Sequence, residues 1–428
     1  MLDIKLIREN PQMVRDNLAK RNAPEYVQLL QELITVDNER LEILKESEKL
    51  RQKRNTITKT ISERKAQGKD TSASMREVAE IPRQIKKMDE RLTVLEEKCR
   101  SFLLCIPNLL HESVPFGKDD TENVEVKRWG KQSFAFEPKN HQEIAERLGI
   151  LDTERAAKVA GHGFYYLKGP LALLENAIIR FAVDTLTKRG YTLIHPPLML
   201  NRKPYEGVTN LEDFQDVLYK IDGEDLHMIA TAEHPVAAMY MDETLLLDKP
   251  IKFVGFSPCF RKEVGAHGKY TRGLFRVHNF YKIEQFIFCL PEDSWKLHEE
   301  LQKNSDDLYQ ALGIPYRVVN VCTGDIGIIA AKKYDTEFLM ADGNYREIGS
   351  NSNCTDYQAR RLNIKYREAE GKAPAGFVHT LNNTALATSR TMVAILENYQ
   401  QEDGSVKVPD VLVPYMNGLK VIEKRLEK

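Results

Sequence analysis

The sequence predicts an α+β protein, with an N-terminal helical domain that carries a long antiparallel coiled-coil hairpin and a C-terminal domain built on an antiparallel β-sheet flanked by helices. Near the N-terminus, apolar residues recur at intervals of three and four over two long stretches, which is typical of helices that pack along a seam. Farther along, short runs rich in β-branched and aromatic residues alternate with helical patterns. A chain of 428 residues is long enough for two domains. We predict domains at residues 1–106 and 131–428, joined by a linker at 107–130.

The composition limits the class of protein. The chain contains 62 Lys and Arg residues against 63 Asp and Glu residues, so any surface that binds nucleic acid must be local. Its six cysteines are scattered without a C-x-x-C pair, which favours reduced thiols, and no zinc site is expected. The sequence has neither a signal-peptide pattern nor an apolar run of membrane-spanning length. We therefore expect a soluble, cytoplasmic protein with no membrane partner.

Two long helices are predicted in the first domain. A helical pattern begins at Pro24 and continues without Gly or Pro until Gly68. In a second run, from Ile81 to Phe102, apolar residues alternate at spacings of four and three. Joined by a short polar turn, the two helices would form an antiparallel hairpin roughly 50 to 60 Å long. We expect Pro82, near the start of the second helix, to kink that helix or to delay its start.

The distal part of this hairpin is basic. Residues 45–69 contain nine Lys and Arg residues and three Glu residues, which leaves a net of six positive charges. A helical hairpin with solvated charges is most often a dimerisation or spacer element, and the seam alone favours that interpretation. The excess of positive charge instead suits a phosphate backbone, which proteins recognise through charge and shape.

The stretch from Phe256 to Phe288 predicts a β-hairpin with a glycine-rich connection. Because side chains alternate along a strand, one face collects charged and aromatic residues: Arg261, Glu263, Arg276, His278, Phe280, Lys282 and Glu284. The opposite face of the second strand can pack on a core through Val277, Tyr281, Ile283 and Ile287. A solvated face with cross-strand ion pairs is one interpretation. The phenylalanine among these charges favours a ligand cleft.

This stretch closely resembles a known signature. The pattern F-R-x-E, then a glycine-rich loop, then R-V-H-x-F-x-K-x-E is similar to the second signature of class II aminoacyl-tRNA synthetases, in the form found in the seryl-tRNA synthetases. The helix predicted at 171–188 and the following His195-Pro196-Pro197 resemble the first signature, which lies at a homodimer interface in the family. The resemblance extends over nearly all of the chain and implies a class II synthetase-like sheet domain.

The third signature resembles residues 381–400, with departures. The family commonly has glycine at the positions of Asn383, Ala385 and Ser389. It usually has serine at the position of Thr384, which keeps the hydroxyl. In the loop of the second signature, Val264, His267 and Tyr270 replace small and acidic residues. Since that loop usually meets the acceptor end of the tRNA, these departures concern transfer more than activation.

The resemblance implies an activity and its substrates. A seryl-tRNA synthetase activates L-serine with ATP to seryl-adenylate and transfers the seryl group to serine tRNA, which the N-terminal arm grips. Members of the family often charge selenocysteine tRNA as well. Two other functions stay open from the sequence: a ligase that loads an amino acid on a carrier protein, and a catalytically inactive paralogue that holds RNA. The basic arm opposes the first, and the intact motif residues oppose the second.

The resemblance also implies the site residues. The catalytic pair would be Arg261, between the α-phosphate and the serine carboxylate, and Arg390, which with Phe280 would cover the faces of adenine. The serine-binding residues would be Thr231, Ala232, Glu233, Arg261, Glu284, Asn382 and Thr384. The ATP-binding residues would be Arg261, Lys262, Glu263, Arg276, Val277, Phe280, Lys282, Glu347, Ile348, Gly349, Ser350 and Arg390. The Mg²⁺ cofactor that accompanies ATP would lie at Glu347 and Ser350.

Two of these predictions have an ordinary structural alternative. The run Thr231-Ala232-Glu233 is typical of a helix start, where a hydroxyl caps and a carboxylate suits the macrodipole. Cys354, close to Ser350, has no local acid–base pair, so we interpret it as a structural thiol and not as a nucleophile. The predicted chemistry needs no nucleophilic side chain, because joining the serine carboxylate to the α-phosphate of ATP requires positive charge and alignment.

Overall fold

The computed structural model describes residues 1–211, 216–263 and 273–424. The chain divides into two compact units, Met1–Leu109 and Leu110–Lys428. Within the described ranges, no helix combines the length and the apolar content that a membrane crossing needs. All six cysteines are free thiols, and only Cys105 is not buried.

The first unit is helical. It contains α1 (Ile4–Glu9), α2 (Pro11–Ala19), α3 (Pro24–Ala66) and α4 (Ser72–Cys105). Five of the seven seam residues of α4 predicted from the spacing are buried, among them Ile81, Ile85 and Leu95, and the other two, Met88 and Phe102, are partly buried. Ion pairs such as Arg51–Asp89 and Lys53–Glu77 join α3 to α4 in antiparallel order. At 1.5 Å per residue the two helices are about 65 and 50 Å long.

The expectation that Pro82 delays the second helix is wrong, and a kink at this proline stays a prediction. Helix α4 begins at Ser72, well before Pro82, so the proline does not delay it. The side chain of Asp70 accepts hydrogen bonds from the backbone N–H and the hydroxyl of Ser72, and these bonds fix the start of the helix upstream of the proline.

The second unit is organised around an eight-stranded sheet. Its order is β1-β10-β11-β12-β15-β9-β8-β4, and all neighbours are antiparallel except β4 and β8. The strands of this sheet are β1 (Val124–Trp129), β4 (Thr192–Ile194), β8 (Ile251–Phe260), β9 (Asn279–Cys289), β10 (Tyr316–Asn320), β11 (Lys332–Leu339), β12 (Tyr345–Asn353) and β15 (His379–Ala387). The predicted hairpin is therefore the pair β8–β9, in the interior of the sheet.

Short strands and helices complete this unit. The smaller sheets contain β2 (Leu151–Asp152), β3 (Tyr166–Leu167), β5 (Met199–Leu200), β6 (His227–Met228), β7 (Thr244–Leu246), β13 (Lys365–Arg367), β14 (Gly376–Phe377), β16 (Val406–Lys407) and β17 (Val421–Ile422). The helices are α5 (His141–Leu148), α6 (Thr153–Ala160), α7 (Pro170–Lys188), α8 (Arg202–Val208), α9 (Glu233–Ala237), α10 (Ser294–Ala311), α11 (Tyr357–Leu362) and α12 (Thr388–Asn398).

Alternation along β9 separates two cores. Ile283 and Ile287 belong to the larger core, which also takes residues from α7, α10 and α12. Phe286 and Phe288 belong to a second core, with residues from α8, α9 and α11. Before Phe286, the same face carries Lys282 and Glu284, and Phe280 precedes them. The strand therefore changes from a polar surface to an apolar one along a single face.

The predicted linker 107–130 is wrong in its second half. It contains β1, which forms the edge of the main sheet by pairing with β10. Leu110 and Val114 are also buried, in a small cluster with Val321 and Ile326. Val124 and Val126 of this edge strand are exposed like its charged residues Glu125 and Lys127, so the strand has no buried face of its own.

Candidate active site

A cavity of about 520 Å³ lies beside the polar part of β9. The residues that line it come from the segments after β8 and before β9, from β9, β11, β12 and β15, from the start of α12, and from the region around α9. It brings together most of the site residues predicted from the sequence: Thr231, Glu233, Arg261, Glu263, Arg276, Val277, Phe280, Lys282, Glu347, Ile348, Gly349, Ser350, Asn382, Thr384 and Arg390. Residues far apart in the chain thus meet at one concave surface.

Three predicted residues do not line the cavity. Ala232 is fully buried as the residue before α9, and Lys262 lies 6.0 Å from the ring of Tyr219. Glu284 is 1% exposed and lies behind the cavity surface, where it contacts residues that do line it. The loop positions Val264, His267 and Tyr270 lie outside the described residues.

Glu284 anchors one end of the cavity. It lies opposite Thr384 in the β9–β15 pair, which places the two side chains on the same face. Its carboxylate accepts hydrogen bonds from Asn382 Nδ2 at 3.2 Å and Thr384 Oγ1 at 3.3 Å, and it lies 2.7 Å from Lys282 Nζ. Buried and hydrogen-bonded, this group fixes the side chains of Asn382 and Thr384, which line the cavity.

A second carboxylate lies close to the first. Glu233 accepts hydrogen bonds from Asn382 Nδ2 at 3.1 Å and Gln358 Nε2 at 3.0 Å. Burial, followed by the negative charge of Glu284, raises the pKa of Glu233 to about 7. Thr231 Oγ1 accepts a hydrogen bond from the Glu233 N–H, so the cap that the sequence suggests is present beside the pocket. A bound ammonium group would favour the charged form of Glu233.

The third-signature departures are accommodated by packing. Asn383 donates a hydrogen bond from Nδ2 to the carbonyl of Leu301, and its Oδ1 accepts one from Ser305. Ala385 is fully buried, at an irregularity of β15 where the pairing with β9 shifts between Thr384 and Leu386. Asn383 therefore faces α10 and Ala385 is buried, whereas Ser389 lines the cavity together with Thr384.

The wall of the cavity also carries guanidinium groups and aromatic rings. Arg261 donates a hydrogen bond from Nε to the carbonyl of Ala230 at 3.2 Å, and its guanidinium carbon lies 5.4 Å from the centre of the Phe280 ring. Arg390 donates to the carbonyl of Glu347 at 2.7 Å and lies over the ring of Phe275 at 4.9 Å. These contacts hold two positive charges at the cavity wall.

Glu263 occupies an unusual backbone conformation. Its φ angle is +48°, in the left-handed region that non-glycine residues rarely adopt. Its carboxylate lies 3.4 Å from Arg276 NH1, and both residues line the cavity. Strained residues of this kind concentrate at functional sites, where the surrounding structure holds them in place.

The two residues predicted to hold Mg²⁺ lie on β12. Glu347 is half-exposed, with 49% of its side chain accessible, and Ser350 lies opposite Asp335 of β11. The protein around the carboxylate removes part of its hydration, which acts to raise the pKa of Glu347, but the charges of Arg390 and Lys333 outweigh this effect and hold that pKa below its usual value. An ionised carboxylate and a hydroxyl suit an Mg²⁺ ion that takes its other oxygens from phosphates and water. Among the described residues, no three or more His, Cys, Asp or Glu side chains could together hold a metal ion.

Sequence reasoning missed several cavity residues. Lys333 of β11 lines the cavity, and its Nζ atom lies 3.3 Å from Asp335 Oδ2. Phe275, His234 and Ser352 line it as well. No local pattern marks Lys333, because only the pairing of β11 with β12 brings it to Glu347 and Ser350. Cys354 is buried with a pKa well above its usual value because of that burial, as suits a structural thiol.

The tip of the α3–α4 hairpin carries unbalanced charge. Arg51 and Lys53 form ion pairs with α4, whereas the outermost basic residues are exposed: Lys59, Arg64, Lys65 and Lys69. A projecting group of exposed cations is the kind of surface that attracts a phosphate backbone.

Two family models match the chain. The seryl-tRNA synthetase N-terminal domain matches residues 1–110, and the tRNA synthetase class II core domain (G, H, P, S and T) matches residues 218–399. The serine–tRNA ligase of Methanocella arvoryzae is 55% identical over 425 residues, which covers 99% of this chain and 100% of the relative. That of Pyrococcus horikoshii is 47% identical over 438 residues, with 97% and 96% covered.

Solved structures of seryl-tRNA synthetases are similar to this chain over its full length. The seryl-tRNA synthetase from Pyrococcus horikoshii complexed with ATP has a TM-score of 0.96 at 46% identity and covers 100% of both chains. The cytoplasmic serine–tRNA ligase from Naegleria fowleri in complex with AMP has a TM-score of 0.91 at 35% identity and covers 100% of this chain and 99% of that one. By full-length identity and by fold, this chain belongs to the seryl-tRNA synthetases.

Proposed function

We propose that this protein activates L-serine with ATP to form seryl-adenylate and then transfers the seryl group to serine tRNA. The observation that carries the proposal is the cavity itself, which has buried polar groups around Glu284 at one end and Arg261, Phe280 and Arg390 at the other. Family membership gives the same activity. Selenocysteine tRNA is a further candidate acceptor.

Arg261 has the central place in the proposed activation. A serine carboxylate oxygen attacks the α-phosphorus of ATP, and the bond to the leaving pyrophosphate breaks. The two reacting groups are both anions, so positive charge between them stabilises the transition state. The hydrogen bond to Ala230 and the contact with Phe280 hold the Arg261 side chain at the wall, which supports catalysis by positioning.

Serine would be selected by its hydroxyl and its ammonium group. Thr384 and Glu284 suit the hydroxyl, and Glu233 and Asn382 suit the ammonium group. A site built to pair a substrate hydroxyl can reject an analogue that lacks it by roughly four orders of magnitude, because its own polar atoms are left unpaired. The small number of polar atoms at this end supports a small hydroxylated substrate.

ATP would bind with its adenine near Phe280 and Arg390 and its phosphates toward β12. The aromatic face and the planar guanidinium can each cover one face of the base. Glu347 and Ser350 would hold Mg²⁺, which neutralises phosphate charge when it is bound. Lys333 adds a fixed positive charge from the protein near the same place.

The exposed tip of the α3–α4 hairpin would bind the tRNA. Its cations support binding through the phosphate backbone, with little reading of base edges. Neither a carrier-protein ligase nor an inactive paralogue is favoured by any feature of the site, since the predicted catalytic residues converge on one cavity. We also place the reaction in the cytoplasm, in keeping with six free thiols.

We propose a homodimer on the basis of a second, more apolar groove of about 390 Å³. It lies beside the edge strand β4, and its lining includes Ile179, Val183, Leu193 and Phe256. Leu193 is 39% exposed. Exposed apolar residues at a strand edge are typical of an association surface. Light scattering should give twice the chain mass for the wild type and a lower mass for Leu193→Asp.

Serine-dependent exchange of pyrophosphate into ATP, measured over a panel of amino acids, tests the activation step. We expect exchange with serine and little with alanine or glycine. Replacing Lys59, Arg64, Lys65 and Lys69 by alanine should leave exchange unchanged while aminoacylation of serine tRNA falls. Exchange that is equal for all amino acids would refute the assignment of the serine site, and unchanged aminoacylation would refute the assignment of the tip.

A further inference from the structure

A buried histidine outside the cavity contacts the segment 273–277, which leads into β9. His141 is the first residue of α5, and 3% of its side chain is exposed. Its Nε2 atom accepts a hydrogen bond from the backbone N–H of Leu274 at 3.3 Å, and its Nδ1 atom lies 2.9 Å from Glu397 Oε1. Because Nε2 accepts, the ring proton that remains is on Nδ1 and is donated to the carboxylate.

Glu397 fixes the histidine from the other side. Its side chain is fully buried in the last turn of α12. Oε1 also accepts from the backbone N–H of His141 at 3.0 Å, and Oε2 accepts from the N–H of Ala341 at 3.0 Å. One carboxylate therefore joins the start of α5, the end of α12 and the turn between β11 and β12. A ring held at both nitrogens and by its own backbone has little freedom to move.

The ring lies directly against the backbone of the segment. Gly273 has a φ angle of +72°, and a Cβ atom added there would lie 2.5 Å from His141 Nε2. That distance is far below a normal contact, so the histidine and a side chain at position 273 exclude each other. The close approach requires glycine at this point.

The residues that follow enter the cavity. Phe275 lies under Arg390, Arg276 pairs with Glu263, and Val277 is 3% exposed. All three line the cavity. The hydrogen bond from Leu274 is one residue away from Phe275, so a shift of Leu274 moves Phe275 with it. The nucleotide end of the cavity is thus mechanically connected to His141.

We infer that His141, held by Glu397, is a positioning residue for the nucleotide: it sets the location of Phe275 and Arg276 and thereby the affinity for ATP. The inference rests on the proposed function, since it requires that ATP occupies this end of the cavity. His141 itself does not touch the ligand. Replacement of His141 should therefore weaken the binding of ATP, without a comparable effect on the binding of serine or on the turnover rate.

Three variants test this inference. His141→Leu removes the acceptor for Leu274, and we expect the KM for ATP in the exchange assay to rise about tenfold, with the KM for serine and kcat changed less than about twofold. His141→Gln supplies an amide oxygen that can accept from Leu274, and should restore most of the affinity for ATP. Gly273→Ala changes the other side of this contact: its new Cβ atom should displace the His141 ring and reproduce the loss of affinity for ATP.

His379→Leu is the matched control. His379 is a partly buried histidine that hydrogen-bonds Ser294 Oγ through Nδ1 at 2.9 Å, and it is not among the described residues that line the cavity. It should keep the wild-type KM for ATP. A normal KM for ATP in folded His141→Leu would overturn the inference. An equal loss of affinity for ATP and serine would also overturn it, as would a failure of His141→Gln to restore the binding of ATP. Calorimetric titration measures the affinity of the variants for ATP without turnover. It therefore tests the role of His141 even if the wild type shows no exchange activity, a result that would count against the proposed function alone.

Discussion

Replacing Glu284 by glutamine tests the serine end of the site with the smallest change in shape. The carboxylate is 1% exposed and has three partners, Asn382, Thr384 and Lys282. The amide keeps the volume and can still accept hydrogen bonds, but it removes the negative charge. We expect weaker binding of serine, because the substrate hydroxyl and the ordered Thr384 lose their charged acceptor.

The size of the effect follows from the charge and the burial. A hydrogen bond to a charged group contributes about 1.5–3 kcal/mol, so the KM for serine should rise between roughly tenfold and a hundredfold. The variant also leaves the ammonium of Lys282 unpaired, with 8% of that side chain exposed. Breaking a buried ion pair on one side costs about 3–5 kcal/mol of stability, so the melting temperature should fall as well.

A second change separates the two effects. The double variant Glu284→Gln with Lys282→Met removes the unpaired charge, so its melting temperature should recover while serine binding stays weak. Glu175→Gln is the matched control, since Glu175 is a buried carboxyl that accepts from Thr388 and does not line the cavity. Wild-type kcat/KM for serine in folded Glu284→Gln, measured by ATP–pyrophosphate exchange, would refute the reasoning.

Three further changes test other parts of the cavity. Because the pKa of Glu233 is about 7, its carboxyl is protonated below that pH and loses its attraction for the serine ammonium. The KM for serine should therefore rise by up to about tenfold per pH unit below pH 7. Glu233→Gln should flatten this pH profile. Lys333→Met removes a cation beside the phosphate region, so the KM for ATP and the Mg²⁺ concentration needed for half-maximal exchange should both increase. In Gly349→Ala, the new Cβ atom would lie 2.7 Å from Thr384 Cβ, so serine affinity should fall together with the melting temperature. For each of the three variants, an unchanged value would contradict the role assigned to that residue.

The sequence predicted those parts of the fold in which periodicity determines the structure. The spacing in α4 identified its buried seam, and alternation in β9 correctly separated Ile283 and Ile287 from the polar face. The same alternation brought Phe280 and Lys282 to one cavity. These inferences succeeded because local backbone geometry alone fixes which side chains share a face.

Other features depend on contacts between distant segments. Lys333 reaches the cavity only through the pairing of β11 with β12, and Phe275 meets Arg390 across more than a hundred residues of chain. The edge strand β1 is exposed along nearly all of its length, and only its pairing with β10 makes it part of the sheet. The start of α4 at Ser72 is accompanied by hydrogen bonds from Ser72 to Asp70, and it lies well before Pro82. No pattern within one segment records these interactions.

The two faces of β9 have a consequence for how this enzyme can change. Inserting or deleting one residue near Tyr281 would exchange the environments of all the residues beyond it, and would place the charges of Lys282 and Glu284 among the aliphatic side chains around Ile283. Each misplaced ion would be disfavoured by several kcal/mol, which is comparable to the entire stability of a typical domain. Evolution of this strand is therefore confined to point substitutions, whereas length variation must be absorbed elsewhere in the chain.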